Sequence, residues 1–123
     1  MKSKYQDLIV WQKSIVLAQK IYEITKKYPK EEIYWLISQM RRAVISISSN
    51  IAEWSLRNTD KEFWSFLYNA RWSAAELETQ ITLSEKLWFV EEKEIETILI
   101  DVNGILKMLS SLIKSLNLKI AKD

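Results

Sequence analysis

Helix-breaking residues are almost absent from this chain. Its 123 residues include one glycine and one proline, although average glycine usage of about 7% would give roughly nine glycines. Apolar residues instead recur at spacings of three and four, which is the repeat of an amphipathic helix with one buried face. The sequence therefore predicts an all-α protein with few tight turns.

Four amphipathic segments follow one another along the chain. They are predicted at residues 6–28, 31–53, 60–87 and 91–117, within a single domain that covers residues 1–123. Pro29 separates the first two segments because proline disfavours the helical conformation of the residue before it. Thr59 and Glu62 have the spacing of a capping box at the start of the third. Four long helices with short connections predict an antiparallel up-down-up-down four-helix bundle.

Each predicted helix carries an apolar stripe that is expected to face the core. On the first helix the main stripe is Leu8, Trp11, Ile15, Ala18 and Tyr22, flanked by a second stripe of Val10, Leu17, Ile21, Ile24 and Tyr28. The other three stripes are Ile33, Ile37, Met40, Val44, Ile47 and Ile51; Phe63, Leu67, Ala70, Ala74, Leu77, Ile81 and Ser84; and Ile95, Ile98, Val102, Ile105, Leu109, Leu112 and Leu116.

Further apolar residues lie off these stripes: Leu36, Ile45, Phe66, Leu99, Leu106 and Ile113. They have two interpretations, to which the pattern alone gives equal weight. A homo-oligomer would bury a second surface of each subunit. Alternatively, the core stripe of each helix is simply wide.

The composition excludes several classes of protein and site. With 48% hydrophobic and 28% charged residues, the chain is neither disordered nor membrane-embedded. The N-terminus has no apolar signal-peptide region, so we expect a cytoplasmic protein. Cysteine and histidine are both absent, which removes disulfides, the usual zinc sites and Ser-His or Cys-His nucleophile pairs. We therefore expect a protein that is not an enzyme, with no catalytic residue, metal or cofactor.

Five motifs occur in order along the chain: "DLIVWQK", "YPKEE", "SQMRRAVISISSNIAE", "KEFWSFL" and "SAAELETQ". Together they resemble the four-helix bundle family that includes proteins encoded in intervening sequences of large-subunit ribosomal RNA genes, often labelled a ribosomal protein. The family also includes the accessory variability determinants of diversity-generating retroelements. The resemblance covers roughly Tyr5 to Leu116. It implies a homopentamer and, for the retroelement branch, binding to a reverse transcriptase and to nucleic acid through a basic surface.

Four tryptophans, Trp35, Trp54, Trp72 and Trp88, stand where that family usually has glycine. Trp54 and Trp88 are predicted at helix C-termini, where glycine adopts the left-handed conformation without strain. Trp72 is predicted at a close approach of two helices, where an indole would overpack. We hypothesise that these codons are UGA, which some bacterial codes read as glycine and others as tryptophan. UGG codons at the four positions would exclude this, and the alternative is true tryptophans that fill a widened core or interface.

Basic residues are the candidate contacts for nucleic acid: Lys26, Lys27 and Lys30 at the first turn, and Arg41 and Arg42 on the second helix. The formal net charge of +2 permits such a partner without requiring one. A pentamer would repeat the lysine cluster five times and so multiply a weak attraction to RNA or DNA. The alternatives are a solvated turn for the lysines and, for the arginines, ion pairs with Glu76 or Glu78. The family motif favours a structural or assembly role for the two arginines.

The remaining family-motif residues are expected to have structural or assembly roles: Trp11, Asn50, Glu53, Glu76 and Glu78. Asn50 is expected to cap the second helix or to form a hydrogen bond between helices. A carboxylate metal site of Glu53, Glu76 and Glu78 is a weaker alternative, because no histidine is present and arginines are close. The tryptophans, if real, can also be interpreted as stacking platforms for single-stranded nucleic acid.

The sequence thus predicts a non-enzymatic homo-oligomer that binds nucleic acid or a nucleoprotein partner, such as ribosomal RNA or a reverse transcriptase. A protein-only assembly or scaffold module is the alternative.

Overall fold

The chain folds into four helices that pack side by side. The computed structural model describes residues 5–56 and 60–122, without the side chains of Glu32 and residues 60–63. A short 3-10 turn at Tyr5–Asp7 precedes α1 (Ile9–Thr25), α2 (Lys30–Leu56), α3 (Asp60–Lys86) and α4 (Glu92–Lys122). The described residues contain no strand, and none of their helices combines the length and apolar composition that a membrane span needs. The predicted all-α four-helix bundle is confirmed.

The first helix boundary differs from the prediction. α1 ends at Thr25, before the predicted end at residue 28, and Pro29 stands at the start of α2. The Pro29 carbonyl accepts the amide of Ile33 at 3.3 Å, the first hydrogen bond of α2. Proline is tolerated at a helix start because the amide hydrogen that it lacks would have no intrahelical partner there. At the other end of the chain, α4 continues to Lys122, beyond the predicted end at residue 117.

Two cross-helix hydrogen bonds show how α3 and α4 are related. Trp64 Nε1 donates to Asn117 Oδ1 at 2.9 Å, and Arg71 Nη1 lies 3.5 Å from Ser110 Oγ. Seven residues forward along α3 therefore correspond to seven residues backward along α4. These two helices run antiparallel, as expected for consecutive helices with a short connection.

The core is built from one face of each helix, and the stripes predicted for α2, α3 and α4 form most of it. Leu112 is half-buried, while Phe63 and the predicted capping box at Thr59 and Glu62 lie outside the described side chains. On α1 the prediction of which stripe faces the core is wrong. The stripe predicted to flank the core is buried, and the stripe predicted to be the main one is only half-buried. Leu36 and Ile113 join the core, so part of the extra apolar set belongs to a wide core.

The four tryptophans at predicted glycine positions have different environments. Trp54 lies in the last turn of α2, half-buried against the core, and lacks the left-handed conformation predicted for it. Trp72 is 70% exposed and therefore does not lie at a close approach of two helices. Trp35 is also exposed. Trp88 alone among the described non-glycine residues has a positive φ, 66°, which confirms the prediction of a left-handed helix end at this position.

Trp88 ends α3 in a geometry that favours glycine. Its amide donates to the carbonyl of Glu85 at 3.1 Å, and the amide of Phe89 donates to the carbonyl of Ser84 at 3.0 Å. This pair of bonds is the Schellman motif, whose left-handed residue is usually glycine. Phe89 then packs against the core, with its ring centroid 6.1 Å from that of Tyr28. The motif aims Phe89 inward and places the Trp88 side chain in solvent.

Candidate nucleic-acid interface

The three lysines predicted to bind nucleic acid lie at the turn between α1 and α2, and all are exposed. Lys26 Nζ forms an ion pair with Glu23 Oε1 at 3.1 Å. Lys27 borders a shallow surface groove whose lining also includes Glu23 and Glu94. Neighbouring carboxylates reduce the positive potential that lysines present to a phosphate. The turn, including Lys30 at the start of α2, is therefore a solvated surface of mixed charge.

Arg41 connects α2 to the last turns of α1. Its Nε donates to Thr25 Oγ1 at 3.0 Å, and its guanidinium lies over the Tyr22 ring, 4.5 Å from the centroid. Thr25 Oγ1 itself donates to the carbonyl of Ile21 at 2.7 Å. Side chains on a helix point back towards its N-terminus, which allows Arg41 to reach the end of α1. These contacts hold the guanidinium in one place and support the predicted structural role of Arg41.

Arg42 faces a different direction from Arg41, because consecutive helix residues are about 100° apart around the axis. Its side chain is exposed, whereas that of Arg41 is half-buried. Within the part of the chain that the structure describes, neither arginine forms an ion pair with Glu76 or Glu78. The two adjacent arginines therefore do not form one phosphate clamp.

Asn50 belongs to a polar link between α2 and α3. Its Nδ2 donates to the Ser46 carbonyl at 2.8 Å and to Ser46 Oγ at 3.0 Å. Ser73 Oγ, on α3, donates to Ser46 Oγ at 2.9 Å. Because α2 continues to Leu56, the predicted capping role is wrong, and Asn50 instead supports an inter-helix bond that Ser46 makes. A partly buried, satisfied link of this kind opposes sliding of one helix along the other.

The other family-motif residues do not form a ligand site. Trp11 is half-buried against the core, and its ring meets that of Tyr5 edge-on at 5.3 Å, which supports a structural role. Glu53 and Glu76 are exposed and Glu78 is half-buried. Among residues 5–56 and 64–122, no group of three or more carboxylates comes together as a possible metal site. The three glutamates therefore do not form the site considered above.

Three flat side chains of α3 follow one another in a row beside α4, with the Trp64 and Tyr68 rings tilted by 50°. The ring centroids of Trp64 and Tyr68 are 4.3 Å apart, and the Arg71 guanidinium lies 4.8 Å from the Tyr68 centroid. The hydrogen bonds to Asn117 and Ser110 on α4 hold both ends of the row. We call these three side chains the Trp64–Arg71 row. Sequence reasoning did not assemble it, although residues four and three apart on a helix are neighbours.

The Trp64–Arg71 row lies on segments of α3 and α4 that lack acidic residues. Residues 64–75 and 102–122 contain no aspartate or glutamate, but contain Arg71, Lys107, Lys114, Lys119 and Lys122. We call these two segments the acid-free region. By contrast, residues 85–96, around the connection between α3 and α4, contain Glu85, Glu91, Glu92, Glu94 and Glu96. Because α3 and α4 are antiparallel, Arg71 and the four lysines lie towards one end of their pair and most of its carboxylates towards the other, although Asp60 and Glu62 also belong to the first turn of α3.

Residues 6–111 match the family of 23S rRNA-intervening sequence proteins. This chain belongs to that family. The resemblance predicted from the five motifs is therefore confirmed. A crystal structure from Bacteroides thetaiotaomicron VPI-5482, of a protein with unknown function from the S23 ribosomal protein family, is similar to this intervening-sequence protein with a TM-score of 0.78. The two are 28% identical, over 86% of this chain and 99% of that chain. No curated protein matches the chain.

Proposed function

We propose that this intervening-sequence protein is a non-enzymatic homopentamer of the cytoplasm that binds nucleic acid or a nucleoprotein, such as ribosomal RNA or a reverse transcriptase. The acid-free region is the observation that carries the proposal. A small net charge spread evenly would attract phosphates weakly, but segregated charge gives one end of the protein a positive field. Each basic side chain that neutralises a phosphate also releases counterions and adds affinity. Because the family is described by 23S rRNA intervening sequences, ribosomal RNA is the first partner to test.

Self-association would cover a groove between α1 and α4. Ile9, Val16 and Ile100 line this groove and are 61%, 47% and 64% exposed. Lys20 and Asp101, which also line it, form an ion pair at 2.5 Å. Exposed apolar side chains gathered in one groove between polar ones are typical of a surface that contacts another subunit. The groove is therefore the surface that we assign to the interface between protomers.

The nucleic-acid arm of the proposal is tested by titrating the protein into labelled RNA and DNA at increasing salt. We expect the logarithm of affinity to fall linearly with the logarithm of salt concentration, with a slope of about −0.7 for each contacted phosphate of a single strand. Fluorescence anisotropy measures this directly. Undetectable binding at low salt would refute the nucleic-acid arm. The remaining candidate function would then be a protein-only scaffold, which the exposed apolar residues of the α1–α4 groove favour.

The oligomer is tested by multi-angle light scattering. A pentamer has a mass near 73 kDa, five times the 14.6 kDa of one chain. We expect Val16→Asp to shift the mass towards that of one chain, because it places a carboxylate in the apolar groove. Leu83→Asp is the matched control, since Leu83 is also exposed, at 38%, but lies on α3 away from the groove. A wild-type mass of one chain contradicts the proposal.

A further inference from the structure

We propose that the Trp64–Arg71 row is a strip that binds single-stranded nucleic acid. In this proposal an unpaired base stacks on Trp64, and adjacent phosphates contact Arg71, Lys107 and Lys114. The inference rests on the proposed nucleic-acid binding and specifies where the ligand lies and in which form it is bound.

The Trp64 ring is held in place before any ligand arrives. One side of the indole meets Tyr68, and its Nε1 donates to Asn117, yet the side chain is still 44% exposed. A ring that is already ordered loses little conformational entropy when a base stacks on it. Every base has a flat face, so an exposed, oriented aromatic ring accepts unpaired bases with little sequence preference.

Arg71 supplies the positive charge at the other end of the row. Its guanidinium carbon lies over the Tyr68 ring, and Nη1 lies 3.5 Å from Ser110 Oγ, which leaves other N–H groups of the guanidinium as donors. A guanidinium presents its donors in a planar fork that matches two phosphate oxygens. Its position beside an aromatic ring is therefore suited to a backbone whose bases stack nearby.

Two lysines on α4 extend this positive surface. Lys107 is three residues before Ser110 and Lys114 is four residues after it, so both lie on the helix face that meets the row. Both side chains are exposed. From Lys107 to Asn117 the surface extends about 15 Å along α4, at 1.5 Å per residue. No aspartate or glutamate of this stretch would repel a phosphate backbone.

The combination of flat and positive groups favours a single strand over other partners. A duplex keeps its bases stacked on one another, so it offers phosphates to the lysines and Arg71 but no free base face to Trp64. A second copy of the chain would offer carboxylates from residues 85–96. Such a contact would satisfy the lysines, but it does not account for an oriented, exposed indole.

The stacking step is tested with the full-length protein and a labelled oligouridine strand. We expect Trp64→Leu to weaken binding about tenfold, the value of one base–aromatic stack, and Trp64→Phe to retain most of the affinity because it keeps a flat ring. Tyr34→Leu is the control, because Tyr34 is an aromatic residue that is 73% exposed on α2, outside the acid-free region. Circular dichroism melts confirm that each variant folds. A blunt RNA duplex should bind more weakly than the single strand and respond little to Trp64→Leu.

The charge step is tested with Lys107→Gln combined with Lys114→Gln. We expect the salt slope for the single strand to become about 1.4 units less negative, at about 0.7 per lost phosphate contact. Lys26→Gln combined with Lys27→Gln removes the same charge from the mixed-charge turn between α1 and α2 and is the matched control, expected to change the slope little.

The outcomes separate this inference from the function on which it rests. Salt-dependent binding that Trp64→Leu leaves intact would overturn the strip while nucleic-acid binding stands. Equal affinity for single strand and duplex would overturn it as well. Dissociation of the oligomer by Trp64→Leu in light scattering would make the row a contact between subunits, which also overturns the strip. If the wild-type protein binds no nucleic acid at low salt, both the strip and the nucleic-acid function fail.

Discussion

Replacing Ala74 with leucine is expected to destabilise the protein by about 1–3 kcal/mol, the cost of adding methylene groups to a packed interior. Ala74 and Ala70 lie one turn apart on α3 and are both fully buried. Interiors of folded proteins are packed like organic crystals, so the larger side chain must displace its neighbours or leave its preferred rotamer. Urea denaturation followed by circular dichroism measures the change in the free energy of unfolding.

Ala75→Leu provides the matched control for this substitution. Ala75 is the next residue of α3 and is exposed, so the same change of side chain there alters helix propensity but not the interior. We expect a change within about 0.5 kcal/mol, as for most surface substitutions. Equal stability of the two variants would mean that the interior beside Ala74 has room for a leucine, contrary to the structure.

The same segment shows how far sequence reasoning reaches. The periodicity placed Ala70 and Ala74 on the buried stripe of α3, and the structure confirms this. The prediction that Trp72 lies at a close helix approach was wrong because it relied on the small residues beside it in the sequence. Two residues along a helix amount to about 200° of rotation, so Ala70 and Ala74 face the interior while Trp72 faces solvent.

On α1, periodicity alone was not sufficient. Both apolar stripes of this helix are regular, and which of them faces the core depends on where α2 and α4 pack against it, a property of the tertiary structure. Tyr22 belongs to the stripe that is only half-buried, and there it lies beneath the Arg41 guanidinium. An aromatic residue at the edge of the core can look like a core residue when its partner is a cation on another helix.

The candidate site was predicted less well than the fold. The chain order hides the Trp64–Arg71 row, since Asn117 and Ser110 are 53 and 39 residues away from the side chains that they contact. Sequence reasoning instead selected Lys26 and Lys27, because they are adjacent in the chain. In the structure, Glu23 and Glu94 lie near them. The stronger signal was the absence of acidic residues from segment 102–122, which is more than five helical turns long. The antiparallel pairing brings this segment beside residues 64–75.

Trp88→Gly is expected to stabilise the protein by about 1 kcal/mol, the strain of a left-handed L-residue. With φ at 66°, Trp88 occupies the left-handed position of the Schellman motif that ends α3. Its side chain is 92% exposed, so glycine loses almost no packing there. Thermal melts should show a rise of roughly 5 °C in the midpoint for a domain of this size. A fall in the midpoint would mean that the indole makes a stabilising contact.

Trp54→Gly is expected to lower the stability, although the sequence pattern predicts the same helix-end role for Trp54 and Trp88. Trp54 lies in the last turn of α2 and packs against the core, so glycine there removes apolar contacts. The contrast bears on the decoding hypothesis. The conformation of Trp88 supports a glycine codon at that position, whereas the environment of Trp54 gives no such support. UGG at position 88 would instead establish Trp88 as a true tryptophan held in a strained conformation.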